Sequence, residues 1–223
     1  MKILILAAMD KELILLSQIL TNPSYEQKNN IYRGEIGAHE IIITKCGIGK
    51  VNSALNCNDL IREFKPDLVI NSGVAGGAGT PIGTVLIADS VAYDDVWCGP
   101  GTEYGQADGY PLFMKPSHYF LEKSLRLSCN QAFEYGLICS GDKFISTPEE
   151  IRFIREKFPK VKAVDMESAA IAQTCIRNNT EFAIVRVISD TPGEGENIEQ
   201  YKDFWIQAPL KIFSLLESII SIL

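Results

Sequence analysis

The sequence predicts an α/β fold, with one domain spanning all 223 residues. Stretches with strand-like hydrophobic periods alternate along the chain with stretches of helical spacing, which is typical of α/β proteins. Hydrophobic residues make up 46% and charged residues 22% of the chain, an ordinary globular composition that argues against disordered, collagen-like and coiled-coil proteins. Because no internal repeat or linker marks a boundary, residues 1–223 are expected to form a single domain.

Strands and helices are expected to follow one another from the first residues onward. The strands are expected over 2–8, 39–45, from 68 up to the glycine-rich segment 71–77, and over 85–93, 135–139, 161–165 and 182–188. The helices are expected over 10–20, 51–64, 117–129, from Pro148 onward, over 168–178, and in a C-terminal segment that Pro209 kinks or splits. A polar loop is expected at 22–30. A long loop is expected at 94–116. Compact domains seldom contain loops of this length unless the loop has a function, so we expect this loop to be functional.

The charge and the cysteine content argue against several functions. A formal net charge of −7 lacks the basic surface that binding to nucleic acid requires. The six cysteines are scattered without a C-x-x-C pair, and the chain has only two histidines. We therefore expect reduced thiols in the core rather than disulfides or metal ligands.

Neither terminus is expected to target or span a membrane. The apolar N-terminal stretch runs directly into Asp10-Lys11-Glu12 without a cleavage site, so it predicts a buried strand. The apolar stretch 210–223 is interrupted by Lys211 and Glu217 and is too short to cross a bilayer. These features predict a cytoplasmic protein.

Six short motifs place glycines or carboxylates where strands are expected to end, and ligands of open α/β sheets bind at such ends. They are Ala8-Met-Asp-Lys-Glu12, Cys46-Gly-Ile-Gly-Lys50, Gly73-Val-Ala-Gly-Gly77, Ser140-Gly-Asp-Lys-Phe-Ile145, Val164-Asp-Met-Glu167 and Val185-Arg-Val-Ile-Ser-Asp190. Together, in this order, they resemble the 5'-methylthioadenosine/S-adenosylhomocysteine nucleosidases of the nucleoside phosphorylase superfamily. The resemblance covers nearly the whole chain.

This resemblance implies a fold, an activity and an assembly. The fold is the three-layer phosphorylase/hydrolase-like fold, in which helices flank a central mixed, twisted sheet. The activity is hydrolysis of the N-glycosidic bond of methylthioadenosine and S-adenosylhomocysteine, which releases adenine and a 5-thioribose without a cofactor. The assembly is a homodimer in which the neighbour's loop near residues 96–104 closes the pocket for the 5' group.

Breaking this bond leaves positive charge on the ribose and negative charge on the purine, so the departing base needs a general acid. By the resemblance, Asp190 protonates the purine at N7 and Ser189 orients it. Burial must raise the pKa of Asp190 for this role near neutral pH. The structural alternative is that Asp190 caps a helix N-terminus.

Two glutamates complete the implied catalytic set. Glu167 accepts hydrogen bonds from both ribose hydroxyls, because an ionised carboxylate can satisfy two donors at once. Glu12 activates the attacking water, with Arg186 nearby to hold it. A carboxylate in that place would repel a phosphate nucleophile by about 1–4 kcal/mol at 4 Å, which favours water. The structural alternative for both glutamates is that they stabilise the first turns of helices, a role that for Glu167 is compatible with binding the ribose.

The resemblance also implies an apolar slot for the base and a pocket for the 5' group. Phe144 stacks on the purine, the main chain of Ile145 reads the adenine edge, and Met166 lies under the ribose. The other implied contacts are Val74, Ala75 and Gly76 beside the base, and Met9, Ile48 and Tyr201 around the 5' group.

Two positions depart from the family pattern. Val74 stands where many relatives carry a serine, and Asp165 replaces a more usual glutamate. Asp165 is expected to face outward and to matter little. Three alternatives stay open: a phosphorylase, a hydrolase of futalosine-type nucleosides, and a nucleoside-binding protein without catalysis.

Overall fold

A nine-stranded mixed sheet organises the computed structural model, which describes residues 1–127, 133–195, 197–207 and 210–223. The strands are β1 Lys2–Ala7, β2 Thr21–Glu26, β3 Ile31–Ile36, β4 His39–Lys45, β5 Leu68–Gly77, β6 Val85–Tyr93, β7 Phe133–Ser140, β8 Val161–Asp165 and β9 Glu181–Asp190. The helices are α1 Asp10–Ser17, α2 Lys50–Phe64, α3 His118–Leu125, α4 Pro148–Lys157, α5 Ser168–Arg177, α6 Asn197–Gln207 and α7 Leu210–Ser221. The predicted α/β fold with a mixed sheet is confirmed.

Strand pairing brings the ends of β5, β8 and β9 together. The strand order is β2-β3-β4-β1-β5-β8-β7-β6-β9, and β5 also pairs with β9, so the second half of the sheet closes on itself. Parallel pairing of β5 with β9 sets Gly73 opposite Arg186 and Gly76 opposite Asp190. Antiparallel pairing sets Gly76 opposite Val164 near the end of β8. Segments that are far apart in the chain therefore meet at one edge of the sheet.

The central strands bury their side chains in apolar layers on both faces. Core residues of β1 alternate between the two layers, with Leu4 and Leu6 in one layer and Ile3 and Ile5 in the other. This is the pattern expected of a central strand covered by helices on both faces. Helices α2 and α5 pack against each other and cover the layer that contains Leu4.

Two predictions about strands are wrong. The polar stretch 22–30 is not a loop, because residues 21–26 form the edge strand β2, which pairs antiparallel with β3. All six residues of β2 are exposed, so no alternation of apolar residues could reveal it. Strand β5 also does not stop at the glycine-rich segment 71–77 but continues through it to Gly77, because this segment pairs along β9.

Several helix boundaries also differ from the prediction. Helix α1 ends at Ser17 rather than at residue 20, and α3 ends at Leu125 rather than at 129. Helix α4 begins at Pro148 as predicted, after Thr147, whose hydroxyl accepts a hydrogen bond from the Glu150 N–H. Pro209 lies outside the described residues, between α6 and α7.

The described cysteines are free thiols. Four of them are buried, as predicted, whereas Cys98 is exposed in the loop that follows β6. Cys129 lies outside the described residues. Across the described ranges no group of histidine, cysteine and acidic side chains is arranged to hold a metal ion, and none of the helices found there has the length and apolar character to cross a membrane.

Candidate active site

A cavity of about 170 Å³ lies where β5, β8 and β9 end. It is lined by Ala8, Met9, Glu12, Ile48, Val74, Ala75, Gly76, Phe144, Val164, Asp165, Met166, Glu167, Ser189, Asp190 and Tyr201. All of the residues predicted for the site are among these except Arg186 and Ile145. Arg186 is buried and contacts the cavity residues Asp165 and Glu167, and Ile145 lines a smaller adjoining cavity of about 30 Å³.

Glu12 is held by main-chain donors from two elements. Its Oε2 accepts hydrogen bonds from the N–H groups of Ala8 (2.8 Å) and Met9 (3.0 Å), and its Oε1 accepts one from Val74 (3.2 Å). Burial raises the pKa of Glu12, against the opposing effects of Arg186 and of these hydrogen bonds. A carboxylate has about four acceptor positions, so these three bonds leave capacity for a further donor from the cavity.

Glycine at position 73 makes the close approach of Glu12 possible. A Cβ atom on Gly73 would lie 2.5 Å from Glu12 Oε1 and 2.8 Å from Arg186 Nη1. No side chain fits at either distance without displacing one of these groups. The glycine-rich segment of β5 therefore provides room for the buried charges.

Glu167 is buried at the point where β8 leads into α5. Its Oε1 accepts a hydrogen bond from the Gly49 N–H (3.0 Å), and its Oε2 lies 3.7 Å from Arg186 Nη2. Burial, followed by the negative charge of Asp165, raises the pKa of Glu167 to about 7, while Arg186 acts in the opposite direction. Its side chain makes no capping hydrogen bond to α5, so any stabilisation of this helix by Glu167 comes from its charge and is compatible with a role in the cavity.

The prediction that Asp165 faces outward is wrong. Only 2% of its side chain is exposed, and Asp165 Oδ2 lies 2.7 Å from both Nε and Nη2 of Arg186. The guanidinium of Arg186 makes its close ion pair with Asp165, while its positive charge also acts on the nearby Glu12. At the start of α5, the Ser168 N–H donates to Asp165 and the Ala169 N–H donates to the Ser140 hydroxyl. This leaves Glu167 directed at the cavity.

Asp190 ends β9 with two side-chain donors around it. The Ser189 hydroxyl donates to Oδ1 (2.7 Å) and the Asn197 amide donates to Oδ2 (3.2 Å). Burial raises the pKa of Asp190, and these two hydrogen bonds partly offset the rise. Both donors are side chains rather than the helix N–H groups that the capping alternative requires.

Aromatic and thioether side chains form the apolar wall of the cavity. The rings of Phe144 and Tyr201 meet edge to face, with centroids 5.8 Å apart. The Tyr201 hydroxyl donates to the sulfur of Met9 (3.2 Å). The Ile145 carbonyl accepts a hydrogen bond from Asn197 (3.2 Å), which ties the Phe144–Ile145 segment to the side chain that also holds Asp190.

The long loop after β6 lies apart from this cavity within the chain. None of residues 96–104 lines the cavity. Tyr104 packs against Phe153 and its hydroxyl donates to the Asp94 carbonyl, whereas Trp97 is 62% exposed.

Comparison with known proteins places the chain in a family. A family model described as the phosphorylase superfamily matches residues 2–221. A 5'-methylthioadenosine/S-adenosylhomocysteine nucleosidase of Lysinibacillus sphaericus (strain C3-41) is 39% identical over 210 residues, which are 89% of this chain and 90% of that protein. The chain belongs to the 5'-methylthioadenosine/S-adenosylhomocysteine nucleosidase family of this superfamily.

Solved structures of this nucleosidase family match the entire fold. The S. pneumoniae nucleosidase, solved with the transition-state inhibitor MT-ImmA, has a TM-score of 0.93 at 35% identity and covers 100% of this chain and 99% of its own. The Colwellia psychrerythraea 34H nucleosidase, solved in complex with adenine, has a TM-score of 0.90 at 31% identity, and the match covers 99% of this chain and 94% of its own.

Two polar residues of this family member were not predicted to belong to the site. Asn197, which contacts Asp190 and Ile145, opens helix α6 beyond the last recognised motif. Asp165 belongs to one of the motifs, but the sequence predicts it on the surface, whereas it is buried. Its partners Ser140 and Arg186 belong to other motifs of the sequence. The burial of Asp165 could therefore be recognised only from the three-dimensional arrangement of these motifs.

Proposed function

We propose that this chain hydrolyses the N-glycosidic bond of 5'-methylthioadenosine and S-adenosylhomocysteine, releasing adenine with methylthioribose or S-ribosylhomocysteine. The names of its relatives and the ligands of its structural neighbours support this proposal. The observation that carries it is the convergence of three buried carboxylates, Glu12, Glu167 and Asp190, on one cavity.

Asp190 is the proposed general acid. To donate a proton to the purine it must be protonated at working pH, and burial raises its pKa in the required direction. The hydroxyl of Ser189 is within hydrogen-bond distance of both Asp190 Oδ1 (2.7 Å) and the Ala75 carbonyl (3.3 Å). It can therefore donate to ionised Asp190 or turn to Ala75 when Asp190 carries the proton, since a hydroxyl is both donor and acceptor.

Glu167 is proposed to bind the two ribose hydroxyls above Met166. In the free protein Glu167 Oε1 accepts a hydrogen bond from the Gly49 N–H, so acceptor positions of the carboxylate remain for hydroxyl protons. Its negative charge also favours the positive charge that develops on the sugar. We propose that Glu12 deprotonates the water that attacks the sugar carbon, because a raised pKa makes a carboxylate a better base.

The remaining cavity residues are proposed to bind the base and the 5' group. Phe144, Ile145, Val74, Ala75 and Gly76 would surround adenine, while Met9, Ile48 and Tyr201 would contact the 5' thioether. An apolar wall with a few directed polar groups is the usual composition of a small-molecule site.

The charges of the cavity favour water over phosphate as the nucleophile. Its lining in the described part of the chain contains four acidic residues and no lysine, arginine or histidine. The nearby cation Arg186 is paired with Asp165. A phosphate ion would therefore meet repulsion of about 1–4 kcal/mol for each pair of unit negative charges 4 Å apart, where the second charge is an ionised carboxylate, and no cation of the described lining offsets it.

We further propose that the chain works in the cytoplasm as a homodimer in which the neighbour's loop 96–104 closes the 5' pocket. Val51 is 66% exposed and lines an apolar groove together with Val96 and Ala107. Trp97, the residue after Val96, is also exposed. Exposed apolar patches of this kind often mark protein interfaces. The buried free thiols are consistent with a reducing compartment.

Release of adenine from methylthioadenosine and S-adenosylhomocysteine, measured with and without phosphate, tests the proposed function. We expect both substrates to yield adenine at rates that phosphate does not increase. Inosine, which lacks both the 5' thioether and the adenine base, serves as the control and should react poorly. Dependence on phosphate, or turnover of inosine alone, would contradict the proposal.

Replacing Gly73 by Ala is expected to lower kcat/KM for adenine release by about 100-fold, because displacing a catalytic group by about 1 Å has an effect of this size. The new methyl group would collide with Glu12 and Arg186. Gly195→Ala is the matched control, since a Cβ at Gly195 would meet no atom within 4 Å. Steady-state kinetics and thermal unfolding of both variants check the prediction. An unchanged kcat/KM in Gly73→Ala would show that the tight packing around Glu12 is unimportant.

A further inference from the structure

Asp165 is a buried carboxylate to which the proposed mechanism gives no role. Its Oδ1 accepts hydrogen bonds from the Ser140 hydroxyl (2.5 Å) and the Ser168 N–H (3.3 Å). Its Oδ2 accepts one from Arg186 Nε (2.7 Å) and one from the Ser168 hydroxyl. Every partner donates, which is the environment of an ionised carboxylate because that form only accepts.

The guanidinium of Arg186 lies among three carboxylates, but these carboxylates lie at different distances from it. Its Nη2 lies 2.7 Å from Asp165 Oδ2 and 3.7 Å from Glu167 Oε2, and it also donates to Asn71 and Ser168. Glu12 lies on another side, where Gly73 leaves room for both groups. Asp165 therefore makes the closest ion pair, and Glu167 stays beyond hydrogen-bond distance from the cation.

We propose that Asp165 is a positioning residue whose negative charge neutralises Arg186, so that the guanidinium neither pairs with Glu167 nor opposes the positive charge that forms on the ribose. The second part of this role rests on the proposed function. The first part concerns the free protein and holds whatever the substrate is.

The charges impose opposite effects on the ionisation of Glu167. The groups that face it are Asp165 on β8, Arg186 on β9, Glu12 on α1 and the Cys46 thiol that follows β4. Removing the negative charge of Asp165 lowers the pKa of Glu167, since ionisation then meets less repulsion. Removing the positive charge of Arg186 raises that pKa, and removing both charges returns it towards its original value.

The test is a double-mutant cycle of Asp165→Asn and Arg186→Gln in the full chain. The pKa of Glu167 is followed by NMR of ¹³C-labelled glutamate carboxyl carbons, with the signal identified by its loss in Glu167→Gln. We expect a fall of about one unit or more in Asp165→Asn, a rise of similar size in Arg186→Gln, and a value near the original in the double variant. Asp165→Glu, which keeps the charge, should leave the pKa close to its original value.

Adenine release measured on the same proteins tests the catalytic part. We expect kcat to fall by about 100-fold in Asp165→Asn, as expected when a major electrostatic contribution to the transition state is lost. The double variant should recover part of this loss, because it no longer contains an unpaired cation. A merely structural role for Asp165 would lower stability without shifting the pKa of Glu167 in opposite directions in the two single variants.

The outcomes separate this proposal from the proposed function. Turnover by the unaltered protein tests the function, whereas the NMR titration needs no turnover. If Asp165→Asn fails to fold, the double variant still tests the proposal. Glu167 must have a lower pKa in the double variant than in Arg186→Gln, because the two proteins differ only by the loss of the Asp165 charge. An identical pKa of Glu167 in all folded variants would overturn the proposal.

Discussion

Replacing Asp190 by Asn is expected to lower kcat for adenine release by about 100- to 10,000-fold, the contribution typical of a positioned general acid. Asparagine has nearly the same shape and retains an oxygen that can accept from Ser189, but it holds no acidic proton. The base can then leave only as an unprotonated anion. KM should change little, because the cavity keeps its shape.

The dependence of the rate on pH gives this prediction a second readout. The acid must be protonated, so the rate should fall as pH rises through the raised pKa of Asp190, which lies above the ordinary aspartate value. This fall of the rate with rising pH should be absent in Asp190→Asn. The control is Asp10→Asn, which makes the same change at an exposed carboxylate paired with Lys45. A variant at position 190 with full turnover would contradict the role of Asp190 as the acid.

Replacing Glu12 by Gln is expected to abolish measurable hydrolysis while adenine still binds. The amide cannot take a proton from water, and it offers one oxygen to the three N–H groups that the carboxylate now satisfies. We therefore also expect a modest fall in the free energy of unfolding, since one buried N–H loses its acceptor. Calorimetric titration with adenine and thermal unfolding measure these two effects separately from turnover.

The control variant for Glu12→Gln tests whether losing a glutamate from the first turn of a helix is by itself enough to lower activity. Glu150 is the third residue of α4, as Glu12 is of α1, and its carboxylate likewise accepts the N–H of the residue before the helix, so Glu150→Gln removes a comparable helix interaction away from the cavity. We expect that variant to keep full activity. Loss of folding and adenine binding together in Glu12→Gln would instead mean that Glu12 chiefly stabilises α1.

The part of the site that could be predicted is the part made of motifs at strand ends. Glu12, Glu167 and Asp190 each follow an apolar stretch, and the carboxyl ends of neighbouring strands meet at one edge of a sheet. Their convergence in one cavity follows from the pairing of β5 with β1, β8 and β9. Their catalytic roles stay predictions.

The relation between Asp165, Arg186 and Glu167 could not be predicted, because it depends on which of several carboxylates an arginine reaches. That choice is made by strand register and by the Ser140 and Ser168 donors around Asp165. Strand β2 escaped detection for a different reason. An exposed edge strand has no buried face, so its residues carry no hydrophobic alternation.

Whether carboxylates in this cavity activate water is decided by the identity of the sugar formed from methylthioadenosine in the presence of excess phosphate. Mass spectrometry of the products distinguishes free methylthioribose from methylthioribose 1-phosphate. We expect free methylthioribose alone, because the acidic cavity lining repels a phosphate dianion. Accumulation of the 1-phosphate would show that phosphate, not water, attacks the sugar.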